Sequence, residues 1–258
     1  MPKQVRAKKF LGQHFLKDES VAEQTANLVS RNEVKNWLEI GPGMGVLTKY
    51  LIEKPINLKA VELDRDSVAY LGKEMPSLAV LEADYLKTDV DVLFEDEYGV
   101  IGNFPYNISS QILFKILDNR LKVPAFAGMF QLEVAKRIAG EPNNKTYGIL
   151  SVLVQAFYDI TLEIEIPPTA FNPPPKVQSA VIYGYRIDQE VDWNVKLFFD
   201  VVKTAFQQRR KTLSNALKKF NIPKDVRLNN QMFKLRAENL SVTDFIGLTN
   251  LIEQNQAQ

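Results

Sequence analysis

A glycine-rich loop, Gly41-Pro42-Gly43-Met44-Gly45, follows the apolar segment 36–40 and precedes a segment with helical patterning. Glycine accepts positive φ angles and lets a ligand approach the backbone, so a loop of this kind between a strand and a helix suits a nucleotide-like ligand. Strands are also predicted over residues 58–63, 79–84, 98–102 and 125–131, with helical segments between them. Such alternation implies right-handed crossovers and a mostly parallel sheet, so the sequence predicts an α/β fold.

Prolines mark the end of the predicted sheet. Two further strands, 159–166 and 177–186, flank the proline-rich stretch 167–175, which is predicted to be a stiff, extended connector. Beyond about residue 188 the pattern is helical to the end of the chain. We therefore predict an α/β domain over residues 1–188, including a basic N-terminal arm, and a small all-α domain over residues 189–258.

Composition excludes several classes of protein. The chain has 258 residues, no cysteine and one histidine, His14. Disulfides and thiolate metal sites are thereby excluded, and with no ligand cluster around His14 no metal is predicted. No apolar run approaches the ~18 residues of a membrane span, and the basic N-terminus lacks the apolar core of a signal peptide. These features predict a cytoplasmic protein that does not bind membranes.

The spacing of the glycine loop predicts the cofactor. A dinucleotide-binding G-x-G-x-x-G fingerprint would need glycine at position 46, where Val46 stands. The spacing of Gly41, Gly43 and Gly45 is instead the form seen in S-adenosylmethionine (SAM) methyltransferases. Glu62 ends the second strand, where a carboxylate can accept both ribose hydroxyls. Asp84 ends the third strand and can accept a hydrogen bond from the adenine amine of the cofactor. The alternatives are a structural turn and two solvated acids.

The loop Asn103-Phe104-Pro105-Tyr106 follows the fourth strand and carries the sharpest chemical signal. The amine of adenine is a poor nucleophile because its lone pair is delocalised into the ring. The side-chain oxygen of Asn103 and the carbonyl of Phe104 or Pro105 can accept both N–H hydrogens, and Tyr106 can stack on an extruded base. Catalysis would then rest on positioning and dipoles. The alternative is a proline turn under a core tyrosine.

Two basic segments predict a polyanionic partner. Residues 1–17 and 201–224 contain no acid, although the net charge of the chain is only +1. Solvated helix faces are the alternative. In the second segment Arg209 interrupts an apolar helical stripe, so either the helix breaks near 208–212 or Arg209 is paired and partly buried. We favour the break, which would expose Arg209, Arg210 and Lys211 to phosphates. Phe171, before the proline run, is either a core residue or a second stacking surface for the base.

Taken together, these motifs resemble the ribosomal small-subunit adenine N6,N6-dimethyltransferase family, known in bacteria as the KsgA type. The matching stretches are 12–16, 38–43, 61–66, 102–109, 171–181, 205–212 and 236–241. The glycine loop is shared by many methyltransferases, whereas the stretches around residues 173–181 and 209–212 are much more specific. The resemblance implies a Rossmann-like SAM-dependent methyltransferase domain followed by a small helical domain that binds RNA or the ribosome.

The resemblance also implies a reaction and roles for single residues. The reaction is the double methylation at N6 of two neighbouring adenines in a hairpin loop near the 3′ end of 16S rRNA, in an immature small subunit. We also expect the enzyme to be a monomer. The implied cofactor contacts are His14, Leu16, Gly41, Glu62, Asp84 and Asn103. The spacing of the glycine loop adds Gly43 and Gly45 to the predicted cofactor site. The implied acceptors of the target amine are Asn103 and Pro105, and the implied contacts of the base are Tyr106 and Phe171. Two positions depart from the family pattern: His14 stands where Asn is usual, and Phe104 where Leu is usual.

Three other functions remain open at this point. A methyltransferase of large-subunit rRNA, of the macrolide-resistance type, would share the cofactor motifs and a loop like residues 103–106, but we expect it to lack the pattern at 208–212. A non-enzymatic assembly factor would bind pre-ribosomal particles without needing intact acceptor residues. An NAD-dependent dehydrogenase is disfavoured by Val46.

Overall fold

The computed structural model describes residues 5–256. Outside the described residues lie Lys3 of the predicted basic arm, with the rest of residues 1–4, and residues 257–258. The strands are β1 Phe15–Leu16, β2 Asn36–Ile40, β3 Asn57–Glu62, β4 Ala79–Glu82, β5 Tyr98–Gly102, β6 Ala125–Gln131, β7 Tyr158–Ile166, β8 Phe171–Asn172 and β9 Ser179–Arg186. The α-helices are α1 Glu19–Asn27, α2 Thr48–Leu51, α3 Arg65–Glu74, α4 Ser109–Asp118, α5 Leu132–Ile138, α6 Ile149–Gln155, α7 Val195–Gln207, α8 Leu213–Ala216, α9 Lys224–Asn229 and α10 Val242–Gln256.

Within residues 5–256, seven strands form one sheet in the order β4-β3-β2-β5-β6-β9-β7. The pairs β3–β4, β2–β3, β2–β5 and β5–β6 are parallel, whereas β6–β9 is antiparallel. The predicted α/β fold with a mostly parallel sheet is confirmed. Strand order reverses between β2 and β5, so the loops after these two strands open side by side at a topological switch point, where open α/β sheets bind ligands.

The central strands carry buried side chains on both faces of the sheet. Strand β5 is buried along its whole length, and Trp37 and Leu38 of β2 are fully buried. Apolar runs of this kind are typical of parallel strands covered by helices on both faces. Asp18 caps the N-terminus of α1, because its Oδ1 accepts a hydrogen bond from the Val21 N–H at 3.2 Å.

The proline-rich stretch is less extended than predicted. Pro168–Ala170 forms a short 3-10 turn, since a proline at the start of such a turn has no N–H to leave unpaired. Phe171 and Asn172 then form β8, which pairs antiparallel with β1 in a separate two-stranded sheet. This pairing joins the N-terminal segment to the stretch in front of the proline run.

The chain divides into two compact units, residues 1–135 with 159–186, and residues 136–158 with 187–258. The second unit differs from the predicted helical domain because it includes residues 136–158. The physical reason is a set of contacts from this segment, among them a hydrogen bond of 2.8 Å from the Tyr147 hydroxyl to the Leu240 carbonyl. The Tyr147 ring also lies 6.1 Å from the ring of Phe206.

Helices α7 and α10 supply much of the apolar core of the second unit. Phe198, Val201 and Val202 of α7 are fully buried, and Phe206 stacks on Phe245 of α10 at 5.8 Å between ring centroids. None of the helices within residues 5–256 combines the length and the apolar character needed to cross a membrane.

Candidate active site

The glycine loop turns sharply at the carboxyl end of β2. Gly41, Gly43 and Gly45 have φ angles of +65°, +59° and +77°, a region that side-chain-bearing residues avoid. A Cβ on Gly43 would lie 2.9 Å from the Phe15 ring, and one on Gly45 would lie 2.6 Å from the Met75 side chain. A Cβ on Gly41 would meet no atom within 4 Å. Gly43 and Gly45 therefore serve packing as well as the turn, whereas Gly41 leaves open space beside the backbone.

Glu62 supports this loop from the end of β3. Its side chain is only 5 % exposed; Oε2 accepts from the Gly43 N–H at 3.0 Å and Oε1 from the Asp64 N–H at 2.8 Å. Burial raises the pKa of Glu62, and the two backbone N–H groups offset part of that rise. Each carboxylate oxygen keeps a second lone pair, so Glu62 can still accept from a ligand.

The N-terminal segment is attached next to Glu62 through Asp64. Lys8 Nζ lies 2.5 Å from Asp64 Oδ1 and 2.7 Å from Asp66 Oδ2, and Gln13 donates to Asp64 Oδ2 at 3.0 Å. Burial alone would raise the pKa of Asp64, but the hydrogen bonds from Lys8 and Gln13 outweigh it and lower that pKa. These contacts hold residues 8–13 beside the end of β3.

A pocket opens between the N-terminal segment and the ends of the central strands. Its lining residues are Phe10, Leu11, Gly12, Gln13, His14, Phe15, Ile40, Gly41, Gly43, Val61, Glu62, Leu63, Ala83, Asp84, Tyr85, Leu86, Asn103, Phe104, Pro105, Tyr106, Asn107 and Ile108. A glycine loop, two acids and the loop after β5 thus face one cavity.

Asp84 lies in the loop after β4, at the same edge of the sheet. Its Oδ1 accepts from the Leu86 N–H at 3.0 Å, and its Oδ2 lies 3.4 Å from Lys87 Nζ. The backbone hydrogen bond fixes the carboxylate where it lines the pocket.

Asn103 follows β5, and its side chain has a defined orientation. Nδ2 donates to the backbone carbonyl of His14 at 2.8 Å. Because an amide has its donor and acceptor on opposite branches, this bond directs Oδ1 away from the His14 carbonyl and leaves it available as an acceptor. The Pro105 carbonyl accepts from the Ile108 N–H at 3.1 Å and keeps one lone pair. The loop therefore offers two acceptors close together in sequence.

Tyr106 is surrounded by three side chains. Its hydroxyl is hydrogen-bonded to the hydroxyl of Ser179, and burial raises its pKa. The His14 ring stacks on Tyr106 with 5.4 Å between centroids and 24° between planes. Phe171 lies 6.5 Å away, inclined by 75°, and is only 1 % exposed. The aromatic groups predicted to hold a base are thus together, but Phe171 is also a core residue.

Phe104 points the other way, into the core. It is fully buried and lies edge-on to Phe130, with 5.4 Å between ring centroids. A Cβ on Gly128 of β6 would lie 2.1 Å from the Phe104 ring, so the absence of a side chain at 128 makes the space for this large residue. The departure at Phe104 is therefore accommodated by packing beneath the loop.

Glu39 of β2 is a buried acid that the sequence did not single out. It is 1 % exposed, and its Oε2 has no hydrogen-bond partner among the described residues. Burial, with the nearby charge of Glu62, raises the pKa of Glu39 to about 8, so the carboxyl group is mostly protonated at neutral pH. It borders a small cavity that also touches Leu16, Gly41 and Asn103.

The basic break belongs to the second unit, and both alternatives for Arg209 are observed. Helix α7 ends at Gln207 and α8 begins at Leu213. The half-exposed Arg209 donates from Nε to Glu238 at 2.7 Å and from an Nη to the Lys145 carbonyl at 3.1 Å. Arg210 and Lys211 are exposed. Arg209 therefore joins three segments of its unit, and the two following cations face solvent.

Most of the predicted site residues of the first unit come together. The residues that line the same pocket are His14, Gly41, Gly43, Glu62, Asp84, Asn103, Pro105 and Tyr106. Leu16, Gly45 and Phe171 lie in the packing behind it. Sequence reasoning missed the wall formed by residues 10–13 and the pairing of Lys8 with Asp64, for which the sequence carries no local signal. Across residues 5–256 no cluster of three or more acids or histidines is arranged to hold a metal ion.

The sequence is similar to known proteins over its whole length. The family model described as ribosomal RNA adenine dimethylase matches residues 4–254. Ribosomal RNA small subunit methyltransferase A of Flavobacterium johnsoniae is 51% identical, covering 98% of this chain and 98% of that protein. The protein of the same name from Porphyromonas gingivalis is 48% identical, over 97% of this chain and 99% of its own length.

Solved structures share the fold at lower identity. A dimethyladenosine transferase from Plasmodium falciparum superposes with a TM-score of 0.82 at 24% identity, covering 94% of this chain and 98% of its own. The 23S rRNA methyltransferase ErmE gives a TM-score of 0.70 at 20% identity, over 92% and 99% of the two chains. These two likenesses confirm the Rossmann-like methyltransferase fold. With the family model matching nearly the whole sequence, the chain belongs to the ribosomal RNA adenine dimethylase family.

Proposed function

We propose that this protein transfers two methyl groups to N6 of each of two adjacent adenosines in the 3′-terminal hairpin loop of 16S rRNA. As a member of its family it is a SAM-dependent rRNA adenine dimethyltransferase. The observation that carries the proposal is the orientation of Asn103, whose Nδ2 is fixed to the His14 carbonyl so that Oδ1 remains as an acceptor in the pocket. An acceptor of this kind suits an exocyclic amine.

The residues of the pocket fit SAM. The open space beside the Gly41 backbone accommodates a ligand that approaches the main chain closely, and the Glu62 carboxylate at its edge suits a ribose diol. Asp84 suits the adenine amine, and Gly43 and Gly45 keep the loop in its turn. We assign further contacts to the backbone of His14 and Leu16 and to Asn103. SAM, when bound, supplies an electrophilic methyl group.

The loop after β5 positions the amine of the target. Asn103 Oδ1 and the free lone pair of the Pro105 carbonyl accept the two N–H hydrogens, which favours a pyramidal nitrogen with its lone pair directed at the donor. These dipoles are fixed before the substrate arrives, because Asn103 is bound to His14 and Pro105 to Ile108. No general base is needed to explain this step.

Aromatic side chains hold the extruded base. Tyr106 supplies the stacking surface, and its orientation is fixed by the hydrogen bond between its hydroxyl and Ser179. Phe171 is assigned as the second base contact, which requires some rearrangement because its side chain is covered in this structure. Arg210 and Lys211 are assigned to the phosphates of the RNA, with Arg209 holding the break in place.

The substrate implies a place of action and a state of assembly. We infer that the enzyme acts as a monomer in the cytoplasm, on the 16S rRNA of an immature small subunit. The names of its relatives refer to small-subunit rRNA, which supports this choice over a large-subunit substrate.

Methyl transfer from radiolabelled SAM to unmodified 30S and 50S particles tests the proposal. We expect label in 16S rRNA, recovered after digestion as N6,N6-dimethyladenosine. Label in 23S rRNA alone would favour the macrolide-resistance type instead. A protein that bound SAM and immature 30S particles without methylating them would be a non-enzymatic assembly factor.

A further inference from the structure

The imidazole of His14 is held in the aromatic part of the site by its own contacts. Nδ1 lies 2.7 Å from the carbonyl oxygen of Pro173. Because a carbonyl oxygen only accepts, Nδ1 carries the hydrogen. The ring also stacks on Tyr106 with 5.4 Å between centroids. The His14 side chain therefore covers one face of the Tyr106 ring, and its Nδ1 donates a hydrogen bond to the segment after β8.

The stack leaves no room for a base between the two rings. Each stacking contact requires roughly 3.5 Å between planes, so an inserted adenine needs His14 and Tyr106 about 7 Å apart. The observed 5.4 Å between centroids is too short by more than 1 Å. A base that stacks on this face of Tyr106 must move the imidazole away.

His14 is easier to displace than Phe171, a second aromatic contact of Tyr106. Phe171 is 1 % exposed, lies in the paired strand β8 and belongs to the apolar core of the first unit. The His14 side chain is partly exposed, and among residues 5–256 it is held by one hydrogen bond and one ring contact. Its backbone is fixed separately, since the His14 carbonyl accepts from Asn103. The side chain can rotate without releasing Asn103.

We propose that the His14 imidazole occupies the place of the target adenine on Tyr106 in the RNA-free enzyme and is displaced when the adenine enters. His14 is then a positioning residue with two separate tasks: its carbonyl orients Asn103, and its ring keeps the base surface covered until a purine competes for it. This inference rests on the proposed function, because it takes Tyr106 as the stacking surface for the base.

His14 is the only histidine in the chain, which makes a direct test possible. In protein labelled with ¹³C and ¹⁵N at histidine, the NMR signals of one imidazole are observed. We expect a hydrogen on Nδ1 and ring protons shifted upfield by the Tyr106 ring current, a shift that Tyr106→Leu removes. An RNA hairpin with two adjacent adenines in its loop, added in the presence of S-adenosylhomocysteine, should also remove it. An upfield shift that persists in the RNA complex would overturn the proposal.

Steady-state kinetics supply the second arm. His14→Ala and His14→Asn keep the backbone carbonyl for Asn103 but remove the competing ring. Because an aromatic stack is worth about 0.5–1.5 kcal/mol, we expect KM for 30S particles to fall roughly two- to tenfold with kcat unchanged. Gln24→Ala, an exposed residue of α1, is the control and should leave both constants unchanged. A higher KM for SAM or a lower kcat in His14→Ala would assign the ring to the cofactor or to the chemical step, and the proposal would be wrong.

The two arms separate failure of this inference from failure of the proposed function. If wild-type protein leaves 16S rRNA unmethylated, the proposed function fails, whatever His14 does. If wild-type protein methylates 16S rRNA while the NMR signals and the KM of His14→Ala stay unchanged, only the displacement of His14 is refuted.

Discussion

Asn103 illustrates how a single backbone contact can decide the chemistry of a side chain. An asparagine amide can present either its donor or its acceptor to a ligand, and the residue type alone does not say which. Here Nδ2 is engaged by the His14 carbonyl at 2.8 Å, so the acceptor is the free branch. A donor turned toward the target amine would repel its hydrogens, whereas the oxygen can bind one of them.

Replacing Asn103 with alanine should therefore affect the chemical step. Loss of one preorganised dipole in an active site typically costs a factor of about 10²–10³ in kcat, and we expect a loss of that size with little change in RNA affinity. Single-turnover methyl transfer to 30S particles and RNA binding measured on the same preparation test this. Asn119→Ala, at the far end of α4, is the control. An Asn103→Ala variant with undiminished turnover would remove Asn103 from the mechanism.

Glu39 makes the stability of the protein depend on pH in a defined direction. Its folded pKa of about 8 is far above that of an unfolded glutamate, so the folded state binds the proton more tightly. The resulting stabilisation is present below the unfolded pKa and is lost as pH rises toward 8. Relative to Glu39→Gln, which stays neutral, the wild type should lose on the order of 4 kcal/mol of unfolding free energy between pH 5 and pH 8.5. Urea unfolding of both proteins at several pH values measures this. Parallel pH profiles would mean that Glu39 does not titrate as its burial implies.

At the scale of elements, β6 and the loop after β5 fit together through Gly128 and Phe104. The Phe104 ring occupies the place where a side chain at 128 would stand. The large side chain at position 104 fills the volume that glycine leaves free at position 128. Substitutions that conserve total volume in this way are the ones that protein cores tolerate best. The loop carrying Asn103 and Tyr106 is thereby supported from below.

This packing predicts a non-additive pair of substitutions. Gly128→Ala should destabilise the protein by about 1–3 kcal/mol, because its Cβ would lie within 2.1 Å of the Phe104 ring. Phe104→Leu should cost about 1–2 kcal/mol by leaving a cavity. The double variant should be more stable than the sum of the two losses implies, with a coupling energy of roughly 1–3 kcal/mol in denaturant unfolding. Additive losses would show that the two positions do not share this space.

The junction between α7 and α8 separates a structural arginine from two solvent-facing cations. Arg209 is tied to Glu238 and Lys145, whereas Arg210 and Lys211 are exposed. The double variant Arg210→Ala/Lys211→Ala should weaken binding to 30S particles and lower the slope of log K against log salt by about 2, since each phosphate contact contributes roughly one. Its unfolding should stay unchanged. Lys196→Ala/Lys203→Ala, with two exposed cations of α7 removed, controls for net charge. Equal slopes in the two double variants would indicate that position at the junction does not matter.

For the molecule as a whole, the sequence predicted what local patterns encode. Strands β5 and β6 begin and end where predicted, because buried apolar runs are bounded there by turn residues. The pairing of β1 with β8 left no signal, since two-residue strands have no periodicity and Leu16 pairs with Phe171, far away in sequence. The grouping of residues 136–158 with the second unit likewise depends on long-range contacts, such as that of Tyr147 with Leu240, which local patterns do not encode.

The same distinction between local patterns and long-range contacts holds for the candidate site. The types of residue needed for methyl transfer to an amine could be recognised from motifs, and the pocket collects most of them. Their orientation could not, because it depends on partners elsewhere in the chain, such as the His14 carbonyl for Asn103 and the Gly43 N–H for Glu62. Nor could the sequence show that Arg209 forms a salt bridge with Glu238.

The division into two units predicts how the cofactor stabilises the protein. All pocket residues lie in the first unit, so a ligand bound there adds to the unfolding free energy of that unit. At 100 times its Kd, S-adenosylhomocysteine should add about 2.7 kcal/mol to the unfolding free energy of the first unit. The best-protected amides in β2 and β5 should then exchange their hydrogens up to about 100-fold more slowly. Amides of α7 and α10 should exchange at unchanged rates if the second unit unfolds on its own. Glu62→Ala, which removes a predicted ribose contact, should abolish the effect. Equal slowing in both units would show that they unfold as one, and no slowing in β2 and β5 would mean that this pocket is not the cofactor site.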